Sequence, residues 1–173
     1  MYSINIEIKA RTNQAKYIRK YLEEQGAECR GTDNQSDTYF NTVAGRLKLR
    51  QGNIENNLIY YKRENQAGPK QSDFRLIPVP DSDALKSVLT EAMGIKVVVN
   101  KKREIYYIGN VKFHLDELEG LGNFVEIEAR NQPETLTVEE LEAQCRFYMQ
   151  AFKIQEEDLI TVSYSDMLLG SEV

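Results

Sequence analysis

The stretch Gly45-Arg-Leu-Lys-Leu-Arg-Gln51 alternates without exception. Arg46, Lys48 and Arg50 share one parity and Leu47 and Leu49 the other, so as a strand it carries a cationic face and an apolar face. Fold and function both turn on which face meets water. With the cations outward this is an ordinary half-buried strand. With the cations inward the protein encloses a field of positive charge, and an anion belongs inside it.

The same alternation recurs at 5–11, 57–64, 72–79, 97–108, 111–118 and 123–130, and one more strand is expected around Asp37 to Asn41, giving about eight strands. Three helical patterns interrupt them. In 13–25, Thr12 or Asn13 can cap, Ala15, Ile18 and Leu22 share a face beside Tyr21, and Gly26 can stop the helix. In 82–93, Ala84, Leu85, Val88, Leu89 and Ala92 repeat with helical period before Gly94. In 137–152, Thr137 and Glu140 make a capping box, with Leu141, Cys145, Tyr148 and Phe152 as the stripe. These stripes need a sheet surface to cover, which is the apolar parity of the strands, so the charged parity faces the other way. An open sheet would put that face in water, whereas about eight hairpin-linked antiparallel strands can close into a barrel around it. Pattern alone does not choose. With no internal repeat, and with 64–71 reading as a polar hairpin loop, a single domain over 1–173 is expected.

Composition narrows the partners. A net charge of −5 argues against nucleic acid and anionic membranes, which need clustered excess cations, so any anion site must be a local concentration of Lys and Arg. Cys29 and Cys145 lie far apart without metal-type spacing and read as reduced thiols. No apolar run approaches transmembrane length, and the chain starts directly in a strand pattern, as expected of a soluble, cytoplasmic protein. His114 is the only histidine, which excludes multi-histidine metal sites and reads most simply as a strand residue. A homodimer is compatible with the sequence.

Parity gathers Glu7, Lys9 and Arg11 behind Asn5, then Arg46, Lys48 and Arg50, Lys62 beside Tyr60, Arg75 beside Asp73, and Lys101 with Arg103. The last hairpin adds Lys112, His114 and Asp116 on one arm and Glu126 and Glu128 on the other. In a closed barrel the first and last strands come together, so Glu7, Asp116, Glu126 and Glu128 can form a carboxylate patch opposite a cationic wall. A metal-bound polyphosphate requires that layout: oxygen ligands suit Mg²⁺ or Mn²⁺, and Lys and Arg neutralise the remaining phosphate oxygens. Surface ion pairs are the simpler alternative. Gly120 and Gly122 lie between two strand patterns and read as hairpin turn residues, not as a phosphate loop.

The blocks "NIEIKAR", "SDTYFN", "GRLKLRQ", "LIYYKRE", "HLDELEGLGNFVEIE" and the closing "SYSDML" resemble, in order and register, the CYTH superfamily of class IV adenylyl cyclases, thiamine-triphosphatase and other triphosphate tunnel enzymes. The likeness runs from about residue 3 to 169 and is greatest to the bacterial class IV cyclase-like branch. It implies an α+β fold: an eight-stranded antiparallel closed barrel, or tunnel, with helices packed outside and a charged interior. It also implies a divalent-metal-dependent enzyme, an adenylyl cyclase converting ATP to cyclic AMP and pyrophosphate or else a triphosphatase acting on inorganic tripolyphosphate, thiamine triphosphate or a nucleoside triphosphate, with a non-catalytic nucleotide or polyphosphate binder as the alternative of another class. By that resemblance Glu7, Asp116, Glu126 and Glu128 hold Mg²⁺ or Mn²⁺, and Lys9, Lys48, Arg50, Lys62, Lys101 and Arg103 bind the phosphate chain. Glu7, Lys9 and Glu126 are the catalytic candidates. Two departures stand out. Asn5 replaces the first acid of the family's Glu-x-Glu-x-Lys signature, which removes a negative charge and weakens one of two metal positions. No basic residue precedes the Ser-Tyr of "LITVSYSD".

Overall fold

The computed structural model describes residues 3–63, 65–132 and 135–170. Eight strands form it: β1 (Ser3–Arg11), β2 (Glu28–Phe40), β3 (Arg46–Gln51), β4 (Asn56–Arg63), β5 (Lys70–Pro78), β6 (Ile95–Ile108), β7 (Val111–Leu118) and β8 (Gly122–Arg130). They close in the order β1-β5-β4-β3-β2-β6-β7-β8, with every pairing antiparallel. The charged parity of β1, β3, β6, β7 and β8 therefore faces the barrel interior, which answers the question posed by Gly45–Gln51.

The outer apolar face is covered on one side only. Helices α1 (Ala15–Glu24) and α3 (Val138–Ala151) lie over β1, β7 and β8, burying Ile6, Ile8, Phe113 and Ile127 against Ile18, Leu22, Leu141, Cys145 and Phe152. The α3 capping box forms as its sequence requires: Thr137 accepts from the Glu140 amide, and the Glu140 carboxylate accepts from the Thr137 amide. Helix α2 (Ser82–Met93) also forms where its period predicts, capped by Asp81, but it buries no residue and leaves Val88 63% exposed. Its stripe does not cover the sheet as expected.

Three strand expectations change. β2 begins at Glu28, not near Asp37, and pairs with β6 along its whole length. Its sequence is polar on both faces, so alternation gave no sign of it. On β4, Ile59, Tyr61 and Arg63 point inward, while Tyr60 and Lys62 stand outside. On β5, Ser72, Phe74 and Leu76 point inward, so Asp73 and Arg75 also leave the interior. Glu64, the last residue of the expected fourth strand, lies outside the described residues.

The C-terminal segment fills one end of the barrel. β5 stops pairing with β1 at Glu7, and beyond that point the Ile160 amide donates to the Lys9 carbonyl. Ile160, Val162 and a short helix α4 (Tyr164–Leu168) then pack with Tyr39, Tyr61, Val99, Leu118 and Phe124. Ser163 caps α4, and its hydroxyl accepts from the Asp166 amide. Among the described residues no helix is long and apolar enough to cross a membrane.

Candidate active site

The barrel interior contains a cavity of about 310 Å³. Eight cations line it, Lys9, Lys48, Arg50, Arg63, Lys101, Arg103, Lys112 and Arg130, against five carboxylates, Glu7, Asp37, Glu55, Glu126 and Glu128. Eight against five leaves +3 on the lining, and the buried carboxylates of Asp33 and Asp116 behind it bring the interior to +1, in a chain whose net charge is −5. Charge this concentrated and dehydrated persists only when each group has a partner or awaits one.

Asp37 is the hub of the cationic wall. Its carboxylate takes two bonds from Arg50, both 2.9 Å, one from Lys101 at 2.8 Å and one from Lys48 at 3.1 Å. Burial alone would raise its pKa, but Arg50, Lys101 and Lys48 hold it well below the ordinary value of 3.8. Nearby, Glu55 accepts from Arg50 at 3.0 Å and pairs with Lys112. Its position is set from below: the buried Asp33 carboxylate accepts the amides of Ile54 and Glu55 at 2.9 and 3.0 Å and so shapes the β3–β4 turn. That turn needs Gly52, because a Cβ there would lie 2.4 Å from Asp33 Oδ1.

The carboxylate side is divided. Glu7 pairs with Arg63. Asp116 takes a two-pronged pair of bonds from Arg103, both 2.6 Å, and a 2.7 Å bond from the Tyr164 hydroxyl. Burial opposes its ionisation, yet Arg103 brings its pKa to about 2. Glu126 and Glu128 remain together on β8 with His114 opposite on β7; one ligand atom from each of the three lies within 4.8 Å of the others. Both carboxylates stay ionised despite burial, Glu126 through Lys9, its bond with His114 and Arg103, and Glu128, at about 2, through Arg130 and Lys112. Burial, then Arg103, pushes His114 down to about 4, so its imidazole is neutral around pH 7. Burial lowers Lys9 to about 8 against the pull of Glu126, and its ammonium sits 3.8 Å over the Tyr164 ring.

The barrel thus brings together Glu7, Lys9, Lys48, Arg50, Lys101, Arg103, Asp116, Glu126 and Glu128 from the expected set, and leaves out Lys62. Arg63 takes the inward place on β4 instead. Sequence reading missed Asp37, Glu55, Arg63 and Arg130. The inward parity of Asp33, Gln35, Asp37 and Tyr39 was available, but only to a reading that already had β2. Chemically the cavity suits a polyanion, with an apolar wall of Ile59, Phe74 and Leu76 beside the charges. A divalent ion also fits. Glu126 and Glu128 supply two negative charges, and two buried polar atoms beside them, Asn5 Oδ1 and His114 Nε2, have no hydrogen-bond partner among the described residues.

Comparison with known proteins agrees with the closed-barrel fold. The family model described as CYTH domain matches residues 3–164. A Methanocaldococcus jannaschii protein named "putative adenylate cyclase" is 24% identical over 185 residues, covering 95% of this chain and 98% of its own. The PH1012 protein of Pyrococcus horikoshii superposes with a TM-score of 0.79 at 25% identity, covering 94% of this chain and 98% of the other. A Hippeastrum protein, designated in the same way but described as having a dominant triphosphatase activity, shares the fold at a TM-score of 0.68 and 15% identity, covering 99% and 97% of the two chains.

Proposed function

From the premise that this chain belongs to the CYTH family, we propose that it is a divalent-metal-dependent enzyme acting on an organic triphosphate held inside the barrel, in the manner of a class IV adenylyl cyclase. The observation that carries this reading is the cationic lining: eight cations from six strands converge on one cavity in an acidic protein. The polar cost of assembling them is met in folding, so an arriving triphosphate exchanges partners with carboxylates instead of ordering cations afresh.

In this reading Arg50, Lys48 and Lys101 turn from Asp37 to phosphate oxygens, while Arg103, on the same strand as Lys101, and Arg63, on the strand beside Lys48 and Arg50, hold the rest of the chain. Phosphoryl and nucleotidyl transfer depend chiefly on in-line placement and charge neutralisation, which these side chains provide to the departing pyrophosphate. Lys9, still mostly protonated at pH 7 with its pKa near 8, adds a cation beside Glu126. Ile59, Phe74 and Leu76 give the organic end an apolar surface, which inorganic tripolyphosphate would leave uncovered. Glu126 and Glu128 are the carboxylates placed to hold Mg²⁺ or Mn²⁺, which when bound would neutralise phosphate charge and acidify the attacking hydroxyl. All four candidate carboxylates hold arginine partners that an ion would displace: Glu7 pairs with Arg63, Asp116 and Glu126 with Arg103, and Glu128 with Arg130.

A second reading, hydrolysis of the terminal phosphoryl group, is favoured by Glu126: a buried, ionised carboxylate hydrogen-bonded to a neutral imidazole can orient a water. The products decide. With ATP and Mg²⁺ or Mn²⁺, cyclic AMP and pyrophosphate are expected; inorganic phosphate from ATP, thiamine triphosphate or tripolyphosphate would establish the hydrolase instead. Binding of all three without turnover would overturn both and leave a polyphosphate-binding protein.

A further inference from the structure

A second group of cations gathers away from the main cavity, at the seam where β5 and β1 part. β5 begins at Lys70, opposite Glu7 of β1, and past that point β1 is met by Ile160 instead. Beside the seam is a separate cavity of about 510 Å³, lined by Lys62, Arg63, Gln66, Lys70, Gln71 and Asp73. Three cations face one carboxylate there, an excess of two positive charges.

We propose that this cavity is a second anion site, outside the barrel, which takes a phosphate dianion and communicates with the main cavity through Arg63. Lys70 is the first reason. It is 2% exposed, yet its ammonium meets only main-chain carbonyls, that of Gln66 at 3.2 Å and that of Ile160 at 3.3 Å. A buried ammonium held by dipoles without a counter-charge is costly, and an anion in the cavity it lines removes much of that cost. Arg63 is the second. Its side chain is 5% exposed and lines both cavities; Nη1 pairs with Glu7, while the buried Nε has no hydrogen-bond partner among the described residues. A guanidinium carries five donors in a rigid plane, so one edge can hold Glu7 while another meets an oxyanion. Lys62 adds a third charge from the outer face. Asp73, opposite it on β5 and bonded by Gln71 at 2.9 Å, is the single carboxylate among the described lining residues and leaves the balance positive.

Lys62 acquires a purpose on this account. Resemblance expects it among the phosphate-binding residues, and the barrel turns it out of the main cavity into this one. The proposal rests on the reading of a triphosphate enzyme only for the origin of the anion. A phosphate group released inside the barrel and one arriving from solution present the same chemistry to these side chains.

The test is an orthophosphate titration of chelator-treated protein already carrying one equivalent of tripolyphosphate, which fills the barrel, followed through backbone amide resonances. Those of Lys62, Gln66, Lys70 and Gln71 should move together with one affinity, while those of Lys48, Arg50 and Lys101 stay in place. Lys70→Met should weaken that affinity about tenfold or more, the scale of a lost charge-assisted hydrogen bond. Lys62→Gln should weaken it about twofold to fivefold, as for a solvent-exposed charge. Amides of the natural protein around this cavity that ignore orthophosphate would overturn the proposal, and that measurement needs no variant to fold; an affinity unchanged in both variants would overturn it as well. A response there without turnover of any triphosphate would leave the anion site standing and remove the enzymatic reading, and turnover without the response would do the reverse. Where both are found, a lower kcat at unchanged KM in Lys62→Gln identifies the departing product as the anion, and an unchanged kcat identifies phosphate from solution.

Discussion

Asp37 shows how one buried side chain organises the cationic wall. With 1% of its side chain exposed, it holds Arg50, Lys101 and Lys48 within 3.1 Å. Asp37→Asn removes the one charge that three cations share, and loss of one member of a buried ion pair costs about 3–5 kcal/mol. Urea unfolding at pH 7 should show a loss of that size. The pH dependence follows from the direction of its pKa. Because the folded carboxyl titrates well below the usual 3.8, its stabilisation is complete above about pH 4 and is lost as pH falls through the folded value. In the variant that part of the acid limb should be missing. An acid limb unchanged between the two proteins would mean that Asp37 does not carry this coupling. The same scale marks where sequence reading worked and where it did not. Lys48 and Arg50 sit in a strand whose two faces differ, so their side of the barrel could be read directly. Lys62 and Arg63 could not be told apart, because Tyr60-Tyr61 and Lys62-Arg63 place like beside like and either parity looks equally charged.

At the scale of elements, the helices differ in what they support. α3 buries Leu141 and Cys145 fully against the outer face of β1 and β8, whereas α2 buries nothing. Leu141→Ala should therefore cost about 2–5 kcal/mol, as full-size core truncations do, and Val88→Ala on α2 less than about 0.5 kcal/mol, as at other surface positions. Thr137→Ala, which breaks the α3 capping box, should cost about 0.5–2 kcal/mol. Chemical denaturation of the three variants ranks them; a Val88 effect equal to that of Leu141 would contradict the one-sided shell. Both helices were legible from period and caps, but their burial was not, since an amphipathic stripe does not reveal whether a surface waits for it. β2 was the least legible element. Asp33, Gln35 and Asp37 face the interior and Thr32, Asn34 and Ser36 the other way, so a strand buried on a polar inside has no hydrophobic alternation to betray it. The short α4, which closes one end of the barrel, carried only the Ser163-x-x-Asp166 cap as a signal.

For the whole molecule, closure is what converts alternating strands into a site. The parity pattern fits an open sheet as well as a barrel; the resemblance to tunnel proteins supplied the choice, and the β1–β5 and β1–β8 pairings establish it. Closure places eight cations around one cavity and turns ordinary strand cations into a polyanion receptor. The most direct test of that claim compares inside with outside on adjacent residues. Calorimetric titration of tripolyphosphate should give one site per chain, with Arg50→Gln and Arg63→Gln each weakening it about tenfold or more, the scale of a lost charge-assisted hydrogen bond. Lys62→Gln, which removes the same charge from the outer face, should leave affinity within about twofold. Equal weakening by Lys62→Gln and Arg63→Gln, in variants that remain folded, would contradict the account, because it would place the anion on the surface and not in the barrel.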